Sequence, residues 1–368
     1  MDYQTILPEA HKDSYTEYDN VDFILSFENK KLLCNTIRLE ANLVVLKAGT
    51  PISQNDLVYL EPSIGAHNII NTISTDFQNA GSMETLREYN RYCKMRADCT
   101  LTNDDMLNSE NVCELRAPNR PSQAISITPY NTRDVANANN IPDFSIKLDF
   151  MLNNVSSKSG DLGISYQKTG AITIRLRLER IFGVLAGPSV DATTTYQLTN
   201  LKMSYFTKPD DGKSESVYMG TKLNLKQTLQ SGFSSVSTKV PAVASAVSCS
   251  FIKQSHEYVA NLNHIETETV PLVDRLVFAF NDSTNKYITF PIEHRMEILE
   301  RYLQSMSNAG VNNVSLEKVE ANQAFGVGLA FGEIINLANQ KFQIQLTSGI
   351  KNTEPYVIYM YFHSVREL

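Results

Sequence analysis

In GAITIRLRLERIFG, residues 170–183, apolar and polar side chains alternate almost without error. Ile172, Ile174, Leu176 and Leu178 hold one parity; Thr173, Arg175, Arg177 and Glu179 hold the other. Period two sends successive side chains to opposite faces of an extended chain. The segment therefore predicts a strand with one buried face and one charged face. The signature recurs through the chain. TIRLEANLVVL (36–46) aligns Ile37, Leu39, Ala41, Leu43 and Val45; FSIKLDF (144–150) and KFQIQLT (341–347) repeat it, with KLNLK (222–226) and VSCSF (247–251) as shorter versions. DRLVFAF (274–280) and PYVIYMYFH (355–363) are apolar on both parities, as expected of strands covered on both faces. In YQLTNLKMSYF (196–206) the apolar parity switches between Leu198 and Leu201, and a one-residue slip near Thr199-Asn200 predicts a β-bulge.

Helical periodicity is confined to two places. SMETLREYNRYCKMR (82–96) reads as a helix with Ser82 as N-cap and Met83, Leu86, Tyr89 and Cys93 on one stripe. PIEHRMEILERYLQSM (291–306) puts Pro291 at the first helical position, a stripe of Ile292, Met296, Leu299, Leu303 and Met306, and a supportive Glu297–Arg301 pair. Between strands run long connections rich in Asn, Asp and Pro (101–123 and 129–144), the kind that serve function or assembly. The turn-rich stretch KPDDGKSES (208–216) divides the chain into halves with a similar plan of early strands, one helix and later strands. Many short strands with sparse helices predict a β-sandwich in each half.

Bulk properties narrow the function classes. The 368 residues suffice for one large or two ordinary domains, and 42% hydrophobic content supplies a normal core. A formal charge of −7 argues against a dedicated nucleic-acid or anionic-membrane binder. The first twenty residues set five carboxylates against one lysine, so there is no basic arm. No apolar run approaches membrane-spanning length, and the N-terminus lacks the regions of a signal peptide. Five scattered cysteines suit a reducing compartment, so the sequons at Asn154, Asn281 and Asn313 read as chance matches and the protein as cytosolic or nuclear when made.

Motif chemistry is sparse. GVGLAFG (326–332) has the wrong spacing for a dinucleotide loop, and Gly212-Lys213-Ser214 lacks the glycine a P-loop needs. HIETE (264–268) aligns His264, Glu266 and Glu268 on one strand face without a further ligand nearby, and Cys93, Cys99 and Cys113 lack zinc spacing and read as buried thiols. Hydrolase signatures are absent. A glycosidase needs only two carboxylates, but tryptophan, the preferred sugar platform, does not occur. No catalytic residue, metal ligand or cofactor is implied.

Several segments carry a resemblance. VDFILSF followed by NTIRLEANLVVL resembles an opening strand pair, and GSMETLREYNRYCKM the helix-bearing excursion of a first jelly roll. LTNLKMSYFTKPDD resembles a last strand running into an inter-roll linker, and PYVIYMYFHSVREL a closing strand. Taken together the chain resembles a double jelly-roll major capsid protein of the adenovirus-hexon lineage, the group that includes virophages, Polinton-like viruses and tailless bacterial viruses. The resemblance implies an all-β fold of two consecutive eight-stranded jelly-roll β-sandwiches with a short helix in each. It divides the chain into a first roll with N-terminal arm (1–207), a linker (208–216) and a second roll (217–368).

It further implies a homotrimer of pseudo-hexagonal outline that tiles an icosahedral shell. Neighbouring trimers and minor or penton proteins would be the partners, in some relatives with an internal membrane beneath. The chain would be made in the host cytoplasm, assembled there, in the nucleus or in a viral factory, and end in the virion. Two alternatives remain open: a vertex (penton) or minor capsid protein, and, from another class, a β-sandwich carbohydrate-binding protein or glycosidase. The charged face of Arg175 and Arg177 is either a solvated sheet face or a pairing surface for acidic groups on a neighbouring roll or trimer; sequence-specific nucleic-acid binding is the weakest choice. The acidic N-terminal segment with Tyr3, Tyr15 and Tyr18 either orders on assembly against a neighbour or frays. Arg175, Arg177, Tyr15 and Tyr18 are thus the candidate assembly contacts.

Overall fold

The computed structural model describes residues 1–52, 56–61, 64–100, 113–115, 143–213, 216–232, 235–240, 243–259, 275–281, 287–307, 326–338, 340–347 and 353–368. The chain forms two compact units. One comprises Met1–Lys94, Asn103–Thr221 and Arg366–Leu368; the other comprises Met95–Thr102 and Lys222–Val365.

The first unit is built from β1 (Asp2–Ile6), β2 (Asn20–Leu25), β3 (Lys30–Lys47), β4 (Thr50–Pro51), β5 (Ile70–Phe77), β6 (Gly81–Leu86), β7 (Asp143–Lys147), β8 (Val155–Ser157), β9 (Gly163–Ser165), β10 (Ile172–Leu178), β11 (Thr194–Pro209) and the start of β12 (Val217–Leu229). One sheet runs β1-β11-β3-β4, with β7 and β9 also on β3; another contains the run β6-β5-β10-β2. All these pairings are antiparallel. The alternating faces pack inward as expected. Ile37, Leu39, Ala41, Leu43 and Val45 of β3 are buried, and so are Ile172, Ile174, Leu176 and Leu178 of β10. Fully burying one such side chain stabilises by about 1.5–3 kcal/mol, which is why a one-residue slip of either strand is strongly disfavoured.

The expected bulge is present. The β11–β3 register shifts between Thr199 and Lys202, and Asn200 takes φ +53°, its amide donating to Asn42 Oδ1 at 2.8 Å. The extra residue is what lets Tyr196 and Leu198 point inward before it and Leu201, Met203 and Tyr205 after it.

The expected helix over 82–96 is only half right. Residues Gly81–Leu86 form β6, hydrogen-bonded to β5, and α1 spans Tyr89–Thr100. Glu88, at φ +50°, breaks the chain between them. Met83 and Leu86 satisfy a helical stripe on paper, but the ladder offered by β5 decides the local structure. Ser82 is therefore a strand residue, not a cap. Two further short helices follow, α2 (Tyr166–Thr169), capped by Ser165, and α3 (Ile181–Val184).

The second unit contains β13 (Ser235–Val240), β14 (Val243–Lys253), β15 (Arg275–Asn281), β16 (Tyr287–Ile292), β17 (Val327–Asn336), β18 (Gln340–Thr347) and β19 (Tyr356–Glu367). β17-β14-β19 form one antiparallel run and β13-β18-β15-β16 another. Their aliphatic and aromatic faces share one core. Phe342 of β18 meets Phe362 of β19 edge-on at 5.2 Å and Phe278 of β15 at 6.1 Å. β19 is buried continuously from Tyr356 to His363, matching its two-sided apolar pattern.

The second helix also starts later than its periodicity implies. Pro291 and Ile292 belong to β16, with Pro291 opposite Val277, and α4 spans Arg295–Ser307. Its buried side chains are Ile298, Tyr302, Ser305 and Met306, while Leu299 and Leu303 are only half-buried. The Glu297–Arg301 pair forms as expected, at 3.6 Å.

Candidate assembly surface

Arg175 and Arg177 both leave β10 on its outward face, yet the neighbouring strands treat them differently. In register, Arg175 lies opposite Asp22 of β2 and Ser74 of β5; Arg177 lies opposite Asn20 and Thr72. Arg175 Nη1 reaches Asp76 Oδ2 at 2.5 Å and its Nε lies 3.6 Å from Asp22 Oδ2. It is thus a three-strand charge clasp, half exposed, contributing at most about 1 kcal/mol. Among the described residues no carboxylate pairs with Arg177. Its guanidinium instead lies 5.9 Å from the centroid of the Tyr18 ring, with Arg180 5.8 Å from the same ring.

Tyr18 is 47% exposed and sits at φ +64°. The chain around it is firmly held. Tyr15 is only 2% exposed and forms an antiparallel bridge with Leu198; its hydroxyl donates to Ala10 O at 2.9 Å and accepts from Lys12 N at 3.0 Å. Thr16 donates to Tyr196 O, Glu17 accepts from Ile181 N at 2.9 Å, and Asp19 binds Thr16 N and Lys12 Nζ at 2.8 Å each. Burial alone would raise the Asp19 pKa, but these hydrogen bonds outweigh it and hold the carboxyl below its usual range.

The N-terminal segment is therefore docked on its own protomer, not frayed. β1 pairs residue for residue with β11, Tyr3 packs on Phe206 at 5.3 Å, and Asp2 is held by Lys30 at 2.8 Å. Tyr15 serves that docking from inside; its side chain is not on the surface. The far end of the arginine row also departs from expectation. Glu179 is 2% exposed, accepting from Asn71 at 2.8 Å, Asn90 at 3.1 Å and Arg180 N at 2.8 Å, while its own carbonyl takes the Tyr196 hydroxyl. Its carboxylate is an internal anchor for the turn after β10, a role that alternation alone could not reveal.

A second charged cluster lies where β11 runs into the turn before β12. Lys31, 2% exposed, donates to Asp211 and to Lys213 O at 2.8 Å, with Asp161 3.7 Å away; Asp161 also takes Lys208 at 2.7 Å. Burial alone would lower the Lys31 pKa, but Asp211, Asp161 and Asp210 outweigh it and hold it above the usual lysine range. Asp211 is held below the usual carboxylate range, chiefly by its hydrogen bond from Lys31. The cluster pins the chain segment 208–213.

The remaining chemistry-bearing motifs resolve into packing. Gly326 and Gly328 of GVGLAFG admit close neighbours: a Cβ would come 1.9 Å from Cys249 O and 2.1 Å from Ser305 Oγ, respectively. Ser305 Oγ meets Ser248 Oγ at 2.9 Å, and Ser248 meets His363 Nε2 at 3.0 Å, all buried. His67, also buried, has Nδ1 2.8 Å from the Tyr89 hydroxyl, which accepts from Asp149 N. On the other side of the ring, Nε2 lies 3.5 Å from Glu114 Oε2. Cys34, Cys93 and Cys249 are buried and outside any disulfide, and burial pushes the Cys34 and Cys249 pKa values up, but Cys113 is exposed, against expectation. The side chain of Cys99 and the HIETE stretch lie outside the described residues. Among the described residues, no group of three or more His, Cys, Asp or Glu side chains is arranged to hold a metal, and no helix is long and apolar enough to cross a membrane.

No protein-family model and no curated protein sequence matches the chain. Solved structures do. The Faustovirus major capsid protein superimposes at a TM-score of 0.59 over 100% of this chain and 90% of its own, at 8% identity. PBCV-1 VP54, fitted into a reconstruction of the virophage Sputnik, does so at 0.54 over 100% and 95%, at 10% identity. A quasi-atomic model of the PBCV-1 virus capsid gives 0.54 over 100% and 94%, also at 10% identity. The fold is accordingly the all-β double jelly roll of these capsid proteins, mostly strand with few short helices.

Proposed function

We propose that this chain is the major capsid subunit of an icosahedral virus, three copies closing into a trimer of pseudo-hexagonal outline that tiles the shell. The observation that supports it most is superposition over the full length of this chain and nine-tenths or more of major capsid proteins from unrelated-looking sequences. Two sandwiches in tandem make a six-lobed ring when three chains close by cyclic symmetry, and such a ring repeats the same side surface in every lateral contact.

In this reading the first jelly roll with its N-terminal arm occupies 1–207, the linker 208–216 and the second roll 217–368. The Lys31 clasp on Asp211 and the Lys213 carbonyl supports a linker held in one conformation at its start. Neighbouring trimers and minor or penton proteins are the partners, and the virion capsid is the destination. The role requires no catalytic residue and no cofactor. Light scattering on the purified protein, with negative-stain images of the same peak, tests the reading. A stable species near three times the 41.3 kDa chain mass with a hexagonal outline is expected; a monomer across a wide concentration range would refute it.

A further inference from the structure

We infer that Arg177, presented with Tyr18 and Arg180, is a docking point for a carboxylate-bearing surface of a second copy of this chain. The inference rests on the capsid-subunit reading and goes beyond it by separating two arginines that look equivalent in sequence. Arg175 is already neutralised by Asp22 and Asp76 of its own protomer. Arg177, two residues on and exposed, faces Asn20 and Thr72 and has no carboxylate partner among the described residues. An arginine can bind carboxylate through two parallel N–H···O bonds, and that capacity is unspent here.

The site is organised before any partner arrives. Tyr18 is fixed by the docked segment beneath it: the buried Tyr15, the Glu17 bond to Ile181 N and the Asp19 bond to Lys12. Packing against the Tyr18 ring restricts the Arg177 side chain, so less rotamer entropy remains to be lost on docking. Exposed tyrosine beside arginine is also the composition in which interface energy concentrates.

Charge complementarity names the occupant. The chain carries 40 acidic against 33 basic side chains, so a sister copy offers carboxylates in excess over its own cations. An extended polyanion fits less well. Glu17 and Asp19 flank Tyr18 in the chain and would repel a phosphate chain lying along it, whereas a single carboxylate can engage Arg177 by itself.

The test compares wild type, Arg177→Glu, Arg175→Gln and Tyr18→Ala as full-length proteins, scored by thermal midpoint, by light scattering over a concentration series and by electron microscopy. Arg177→Glu is expected to lower the midpoint by only about 2–4 °C, for the lost ring contact, while raising the concentration needed for copy–copy assembly of the folded protein at least about tenfold, a change of about 1.4 kcal/mol per contact. Tyr18→Ala is expected to show a smaller, few-fold rise. Arg175→Gln is expected to lower the midpoint and leave assembly of the folded protein unchanged. Wild-type assembly is expected to weaken with salt, and the Arg177→Glu protein to lose that dependence. If wild type assembles and Arg177→Glu assembles equally well, the inference is overturned while the capsid reading stands. If wild type remains monomeric, the capsid reading falls and takes the inference with it. A single-stranded DNA oligonucleotide bound by wild type but not by Arg177→Glu, with assembly unchanged, would overturn it in favour of a polyanion site.

Discussion

Gly328 offers the sharpest test of how α4 is seated on its sheet. A Cβ at this position would stand 2.1 Å from Ser305 Oγ and 2.9 Å from Ser305 Cβ, with Val247 O at 3.0 Å. Ordinary contact begins near 3.4 Å, so the Ser305 hydroxyl must retreat by more than an ångström. That hydroxyl is not free to do so cheaply, because it donates to Tyr302 O at 2.6 Å and meets Ser248 Oγ at 2.9 Å, which in turn meets His363. Gly328→Ala is therefore expected to destabilise the second unit by about 2 kcal/mol, in the range for overpacking a tight core. At 2–4 °C per kcal/mol, the transition of that unit should fall by roughly 4–8 °C.

Ser305→Ala alone should cost about 1 kcal/mol for its lost hydrogen bonds. Because it removes the atom that obstructs the new methyl, the double variant should be less destabilised than the sum of the two by about 1 kcal/mol. Gly326→Ala makes the contrasting case. Its Cβ would meet Cys249 O at 1.9 Å, a backbone atom of β14 locked between β17 and β19. It should cost about 3 kcal/mol or more, and Ser305→Ala should not relieve it. Urea unfolding monitored by tyrosine fluorescence and circular dichroism measures all four. A Gly328→Ala protein with the wild-type midpoint, or a cycle with no coupling to Ser305, would show that α4 is not seated at this distance.

Two further outcomes follow from the first unit. Lys31→Met should lower its thermal midpoint by about 2–4 °C at neutral pH, since the flanking aspartates are partly exposed and screened. The pH dependence has a definite sign: the carboxylates of Asp211 and Asp161 have folded pKa values below 3.8 and the Lys31 ammonium one above 10.5, so their contribution is present from about pH 4 to about pH 10. It should fade as pH falls through the depressed folded values of the carboxylates, and the difference between variant and wild type should shrink there; a difference that grows on acidification would contradict the clasp. Tyr15→Phe removes a hydroxyl that both donates to Ala10 O and accepts from Lys12 N, and should cost about 1 kcal/mol and open residues 9–19 to limited proteolysis; an unchanged digestion pattern would argue against the docked segment.

Much of this architecture was legible as period two. The alternations in β3, β7, β10 and β18 identify both the strand and its buried face, because an extended chain leaves a side chain only two directions. Even the bulge at Asn200 could be read, since a change of apolar parity inside one strand needs an extra residue. The starts of both helices were not legible. Met83-Glu84-Thr85-Leu86 and Pro291-Ile292 fit a helical stripe as well as a strand, and only β5 and β15, whose backbone groups need partners, decide between them. The candidate surface was half legible for the same reason. Alternation places Arg175 and Arg177 on one face but carries nothing about which strands lie alongside.

The sequence by itself determined the class of fold, an all-β chain in two similar halves with little motif chemistry, because hydrophobic periodicity and turn composition are local properties. Only the tertiary structure decided the fate of individual charges: Arg175 neutralised, Arg177 left on Tyr18, Glu179 and Lys31 buried, Tyr15 turned inward. Those outcomes depend on strand register and on segments as far apart in sequence as Lys31 and Asp211. An ion pair or a cation–ring contact is made over a few ångströms of space, whatever the separation along the chain.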